Sequence, residues 1–280
     1  MYAFWYYIKN LWFKFIKDDA LFLASGIAFN VAITTIPLIL IIFSIAGFAF
    51  SSSAELWDKT VVYIQSLIPV SSESIINNTQ RWIEDRTWIG IIGLAGIAFT
   101  ATRLFASLRT VLDSVFEARH TRGIIHGKLF DFMMLLLLGI MMIVANLFII
   151  FLPRFFRENV FFNNSAFSLL QIFESPLVGT LLAFLLTVAL LFISYKFFPS
   201  KSMKNGTCLI ATLIMAVVFE ITKQLYIYFL RMYPDINRIY GTLGAIVAMI
   251  FWFYICSLVY VVAAEIAFIH EKREYETIRR

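Results

Sequence analysis

Long uninterrupted apolar runs dominate the chain, separated by short polar segments. The runs cover approximately 23–50, 88–110, 130–152, 175–198, 207–231 and 243–269. A helix of about 20 apolar residues spans the ~30 Å hydrocarbon core of a bilayer. In lipid every backbone polar group must be paired within the element, which leaves helices or closed barrels. Barrel strands would read as short alternating segments. Continuous runs therefore predict an all-α fold, a polytopic transmembrane helical bundle of about six spans. Prolines agree with the boundaries. Pro176 sits where a first helical turn tolerates it, while Pro199 and Pro234 lie just past the fourth and fifth runs.

Outside the runs the pattern changes. Over residues 1–20, Phe4, Ile8, Leu11, Trp12 and Phe15 recur at helical spacing, with Asn10, Lys14 and Lys17 on the other side. This predicts an amphipathic helix in the membrane interface. Lysines within the aromatic stretch, and the lack of a small-residue cleavage site after it, argue against a cleavable signal. Residues 51–87 form the long loop, predicted to be helical near 54–68 and 72–86 around Pro69 and to lie on the outer face. Residues 270–280 read as a cytoplasmic tail, and the whole chain, 1–280, as a single membrane domain.

Composition supports this reading. Of 280 residues, 61% are hydrophobic and 15% charged. A soluble domain carries roughly 25% charged residues. The net charge of +5 would favour nucleic acid in a soluble protein, but in a membrane protein it reflects Lys and Arg on the cytoplasmic side. With the N-terminus assigned to the cytoplasm, fourteen basic residues fall on that side and seven on the other. Both termini are therefore expected in the cytoplasm, and no nucleic-acid partner is expected. Cys208 and Cys256 lie in apolar runs and read as small hydrophobes. His120, His126 and His270 sit in basic segments at predicted edges and read as solvated. No Cys/His spacing resembles a metal site, and neither a cofactor nor a catalytic residue is expected.

Charges inside the spans are the candidate chemistry, because they are expensive there. They are Arg103, Glu220, Lys223 and Glu265. At 1.5 Å per residue, Arg103 lies ~22 Å beyond Trp88, at a depth similar to that of Glu265. A buried interhelical ion pair, Arg103–Glu265, is one expectation; snorkelling of Arg103 to water is the other. Glu220 lies ~21 Å beyond Gly206, and the i, i+3 spacing lets it meet Lys223. That pair either fixes helix packing or lines a polar cavity with Gln224, Asn30 and Thr34. Two further faces are small or polar: Gly93, Gly96, Thr100, Arg103 and Ser107 in the second span, and Gly26, Asn30, Thr34, Pro37 and Ser44 in the first. Small residues permit close helix contact.

Several stretches in order carry a family resemblance: Ala28–Pro37 (AFNVAITTIP), Arg103–Leu108 (RLFASL), Tyr195–Pro199 (YKFFP), Phe219–Lys223 (FEITK), Tyr240–Gly244 (YGTLG) and Ala264–Glu265. Together, over residues 20 to 270, they resemble the YihY/BrkB family of bacterial inner-membrane proteins, once called the ribonuclease BN family. Asn30 departs from the aromatic residue usual there. The resemblance implies six helices, a multi-pass location in the bacterial plasma membrane, and a cell-envelope role in lipid or lipopolysaccharide export. The ribonuclease name finds no support in the residues, because metal-dependent hydrolysis needs clustered carboxylates or histidines. The expected function is transport or flipping of a lipid or amphipathic envelope component, with membrane lipids as partners. The alternatives are a cation/proton antiporter using Glu220 or Glu265, and a non-transporting scaffold.

Overall fold

The computed structural model describes residues 2–52, 84–118, 126–137, 139–141, 176–200, 203–232 and 242–278. Helices make up nearly all of them, with no strand among the described residues. They are α1 (Tyr2–Lys17), α2 (Ala20–Ser52), α3 (Arg86–Val115), α4 (residues 126–137), α5 (Pro176–Phe197), α6 (Asn205–Met232) and α7 (Thr242–Ile278). The predicted loop helices around Pro69 and most of the predicted third span beyond residue 141 lie outside the described residues.

Four helices are long and apolar enough to cross a membrane: Ala20–Ala49, Arg86–Val115, Asn205–Phe229 and Ile246–Glu276. A shorter apolar stretch, Phe184–Phe197, belongs to α5. Their surfaces show why water cannot be the solvent. Ile36, Leu94, Phe99 and Leu225 are each more than half exposed. These side chains belong against lipid tails, which replace packing as their apolar surroundings. The chain is thus a multi-pass membrane protein.

The chain forms two compact units, residues 1–29 with 105–280, and residues 30–104; the division falls within α2 and α3. In the first unit α6 packs against both α5 and α7, and α1 packs against α7. The fully buried side chains gather where α3 and α5 end, where α6 begins and along the middle of α7. Leu112, Val115, Phe116, Tyr195, Phe198 and Val261 are among them. Tyr195 stacks on Tyr260 at 4.7 Å, and its hydroxyl donates to the Tyr260 carbonyl at 2.9 Å. Asp113 accepts hydrogen bonds from the backbone N–H and hydroxyl of Ser200, at 2.6 and 2.7 Å, anchoring the turn after α5. Arg109 pairs with the buried Asp131 of α4 at 3.0 Å.

Two turns use a left-handed residue. Asp19 (φ 51°) joins α1 to α2, and Glu117 (φ 50°) ends α3. Aspartate tolerates this conformation better than most non-glycine residues, which suits Asp19. Residues 270–278, expected as a tail, are helical and continue α7, which runs to Ile278. Helix-forming Glu, Lys and Arg follow the apolar run without a breaker. Glu271 accepts a hydrogen bond from Thr207 at 2.6 Å, and Glu274 pairs with Lys204 at 3.2 Å, tying the extension to α6 and the residue before it.

The second unit holds the predicted small-residue contact. An added Cβ at Gly90 would lie 2.5 Å from Ser44 Oγ; at Gly93, 2.9 Å from Ile41 Cγ1 and 3.2 Å from its backbone nitrogen; at Gly96, 2.8 Å from Pro37 Cβ. As numbers rise on α3 they fall on α2, so the helices run antiparallel with backbones close together. Ser44 reinforces the contact by donating to the Arg86 carbonyl at 2.8 Å.

Candidate functional site

The predicted charge pair on α6 forms. Lys223 Nζ lies 2.7 Å from each carboxylate oxygen of Glu220. One helical turn separates the two charges, so the contact follows from the i, i+3 geometry. The side chains of Glu220 and Lys223 are 43% and 39% exposed. Around them Val217, Ile221 and Leu225 are exposed apolar residues. The pair is therefore not sealed in dry packing. It is an open polar spot on an otherwise apolar helix, ~22 Å from the start of α6 at Asn205.

The other residues of the expected cavity, Asn30 and Thr34, belong to the second unit. Thr34 spends its hydroxyl proton within its own helix, donating to the Asn30 carbonyl at 2.7 Å, and Thr35 does the same to Val31 at 2.9 Å. These back-bonds sit one turn before Pro37, which lacks the N–H that would reach Ile33. Arg103, expected in a buried pair, is exposed, with its guanidinium 5.2 Å from the centre of the Phe99 ring. Depth along a helix does not say which side of it a residue occupies.

Glu265 lies in the first unit and is fully buried. Neither of its carboxylate oxygens has a hydrogen-bond partner among the described residues. The charges that act on it are those of Lys14 and Asp18. Lys14 is 7% exposed, sits 4.1 Å from the centre of the Phe268 ring, and pairs with Asp18 at 2.7 Å. Asp18 thus engages the ammonium, which carries three N–H donors, from the turn at the end of α1. Glu117 joins from the end of α3, 3.9 Å from Lys14 and 2.8 Å from Lys17. The hydrogen bond from Lys17 holds the Glu117 carboxyl below its ordinary value, and the same bond raises Lys17.

This cluster was missed in the sequence because α1 was expected to keep its polar side in solvent. The structure turns Lys14 towards α7 and leaves Trp5, Trp12, Phe13 and Ile16 exposed. An apolar outer face suits a helix lying against lipid. Tyr7 extends the seam, its hydroxyl 2.8 Å from His270 Nδ1, so His270 is engaged with α1 rather than merely solvated. Between the helices a groove of about 370 Å³ opens, lined by Tyr6, Asn10, Phe13, Lys14 and Lys17 of α1, by Glu117, and by Phe268, Ile269, Lys272 and Glu276 of α7. Among the described residues no group of three His, Cys, Asp or Glu is placed to hold a metal ion.

Several apolar spanning helices, a close-packed glycine seam and a few costly intramembrane charges define a polytopic helical membrane protein. The family described as "Virulence factor BrkB" matches residues 11–280, and the chain belongs to that family. Its relatives include the UPF0761 membrane protein of Pseudoalteromonas atlantica, 22% identical over 91% of this chain and 82% of that protein. Another, from Cronobacter sakazakii, is 24% identical over 93% of this chain and 86% of its own. A third, from Nitrosospira multiformis, is 24% identical over 91% of this chain but only 58% of its own length. No solved structure matches the chain.

Proposed function

We propose that this protein is a transporter or flippase of a lipid or amphipathic envelope component, residing in the bacterial plasma membrane with both termini in the cytoplasm. The basic-residue bias supports the orientation. The observation that carries the function is the open Glu220–Lys223 pair. A charge at the centre of a spanning helix costs about 2.5–3.5 kcal/mol on insertion scales. Mutual neutralisation offsets part of this, yet an exposed pair still requires water or polar groups beside it. A cleft that admits headgroups provides them, and the zwitterionic pair complements a headgroup of either sign. The reading is of a carrier and not of an enzyme.

The test is Glu220→Gln in proteoliposomes loaded with a fluorescent phospholipid. Transport should fall at least tenfold while thermal stability stays close to wild type. Full transport in the variant refutes the role, and equal loss of stability and transport assigns the pair to packing. A second reading, cation/proton antiport, is favoured by the buried Glu265 carboxylate without hydrogen bonds. It requires sodium- or potassium-driven proton flux in the same vesicles, abolished by Glu265→Gln.

A further inference from the structure

We propose that the groove between α1 and α7 binds the phosphate of a phospholipid headgroup from the leaflet at that end of the bundle. Three observations meet there. The first is space: about 370 Å³, at the lower end of the roughly 300–1,000 Å³ typical of small-ligand pockets. The second is charge chemistry. Lys14, Lys17 and Lys272 line the groove, and a lysine ammonium binds phosphate as a compact point charge. Lys14 matters most, because it is 7% exposed and lines the groove while Asp18 engages it at 2.7 Å. One carboxylate oxygen does not use all three donors of an ammonium, and a phosphate oxygen in the groove supplies a further acceptor.

The third observation is depth. Trp5 and Trp12 are exposed on α1, and tryptophan concentrates at the headgroup level of a membrane. Lys272 and Glu276 lie towards the end of α7. A groove between these elements opens where phosphates reside, with apolar Phe13 and Ile16 exposed beside it for the upper acyl chain. The two acids on its rim, Glu117 and Glu276, complement an ammonium, so a zwitterionic phosphoethanolamine fits both signs. Free phosphate offers the same acceptor oxygens but has no chain to cover the apolar flank.

The site is separate from the Glu220–Lys223 pair, and the inference rests on the lipid reading only for the class of ligand. Full-length protein, purified in mild detergent, is assayed by native mass spectrometry for retained phosphatidylethanolamine and phosphatidylglycerol. The variants are Lys17→Ala, Lys272→Ala and the double change, with Lys204→Ala as a control outside the groove; Lys14 is left intact because its loss endangers the fold. A lysine near anionic headgroups contributes roughly fivefold to binding, so the double variant should retain about 30-fold less lipid. Lys204→Ala should retain it fully. Added inorganic phosphate at millimolar concentration should not displace the lipid; displacement would overturn the lipid source and assign the groove to soluble phosphate. Unchanged retention in the double variant, or equal loss in Lys204→Ala, overturns the site. Lost retention with intact vesicle transport leaves the carrier reading standing, and the converse leaves the groove standing.

Discussion

Lys14 is the cation on which the inner charge cluster depends. Replacing it with methionine keeps the stem's apolar contact with Phe268 but removes the charge 2.7 Å from Asp18. Asp18, at 7% exposure, and Glu265, at 0%, then face each other's charge without compensation. At an effective dielectric of 20, unit charges 4 Å apart interact by about 4 kcal/mol. Breaking a buried pair by removing one partner costs about 3–5 kcal/mol. Glu265→Gln should cost less, because its carboxylate has no hydrogen bond to lose; the amide leaves an unsatisfied polar group worth about 1–3 kcal/mol. In the double variant one of the two stranded acids is gone, so the combined loss should fall short of the sum by about 1–3 kcal/mol. Thermal unfolding in detergent, followed by tryptophan emission, reads the series. Lys14→Met should lower Tm by on the order of 10 °C, Glu265→Gln by less, and the double variant by less than both shifts together. Strict additivity, or an unchanged Tm in Lys14→Met, would refute the coupling.

Gly93→Ala should destabilise by about 1–3 kcal/mol through overpacking, because the backbone nitrogen of Ile41 lies 3.2 Å from the new methyl and cannot swing away. Gly206→Ala, with nothing within 4 Å, should be neutral or slightly stabilising in the same melt. For the Lys17–Glu117 bridge the pH sign follows from both shifts. Glu117 is lowered from 4.5, so its contribution is full above that value and lost as pH falls through its folded value. Lys17 is raised from 10.5, so its contribution is full below that value and lost as pH rises through its folded value. Trp12 emission should therefore be flat from about pH 5 to 10, and the low-pH change should shrink in Glu117→Gln; a transition near neutrality that persists in the variant would overturn the assignment. The exposed bridge is worth at most about 1 kcal/mol.

The four described spanning helices were legible because lipid imposes a strong rule: a run long enough to cross must be helical, whatever it packs against. The glycine seam was legible for a related reason, since Gly93 and Gly96 share a face and small residues there permit close contact. The Glu220–Lys223 contact follows from local helix geometry. What could not be read was which way each helix turns about its axis. Arg103 and Glu265 match in depth, yet Arg103 is exposed and Glu265 is buried beside charges from α1. Lys14 and Glu265 lie about 250 residues apart in the chain, and only tertiary packing joins them. The last helix was cut short because falling hydropathy marks the end of a membrane span, not the end of a helix.

Asp19 has a mechanical consequence. Its N–H bonds to Ile16 at 3.3 Å at the end of α1, and its carbonyl accepts from Phe22 and Leu23 at 2.8 and 3.0 Å at the start of α2. One residue thus belongs to the hydrogen-bond ladders of both helices, and only the turn residues Asp18 and Asp19 lie between them. A flexible loop would absorb a push on α1; this junction transmits it as torque on the first turn of α2. A displacement of α1 is therefore felt at the first turn of α2, the start of a helix long and apolar enough to cross a membrane.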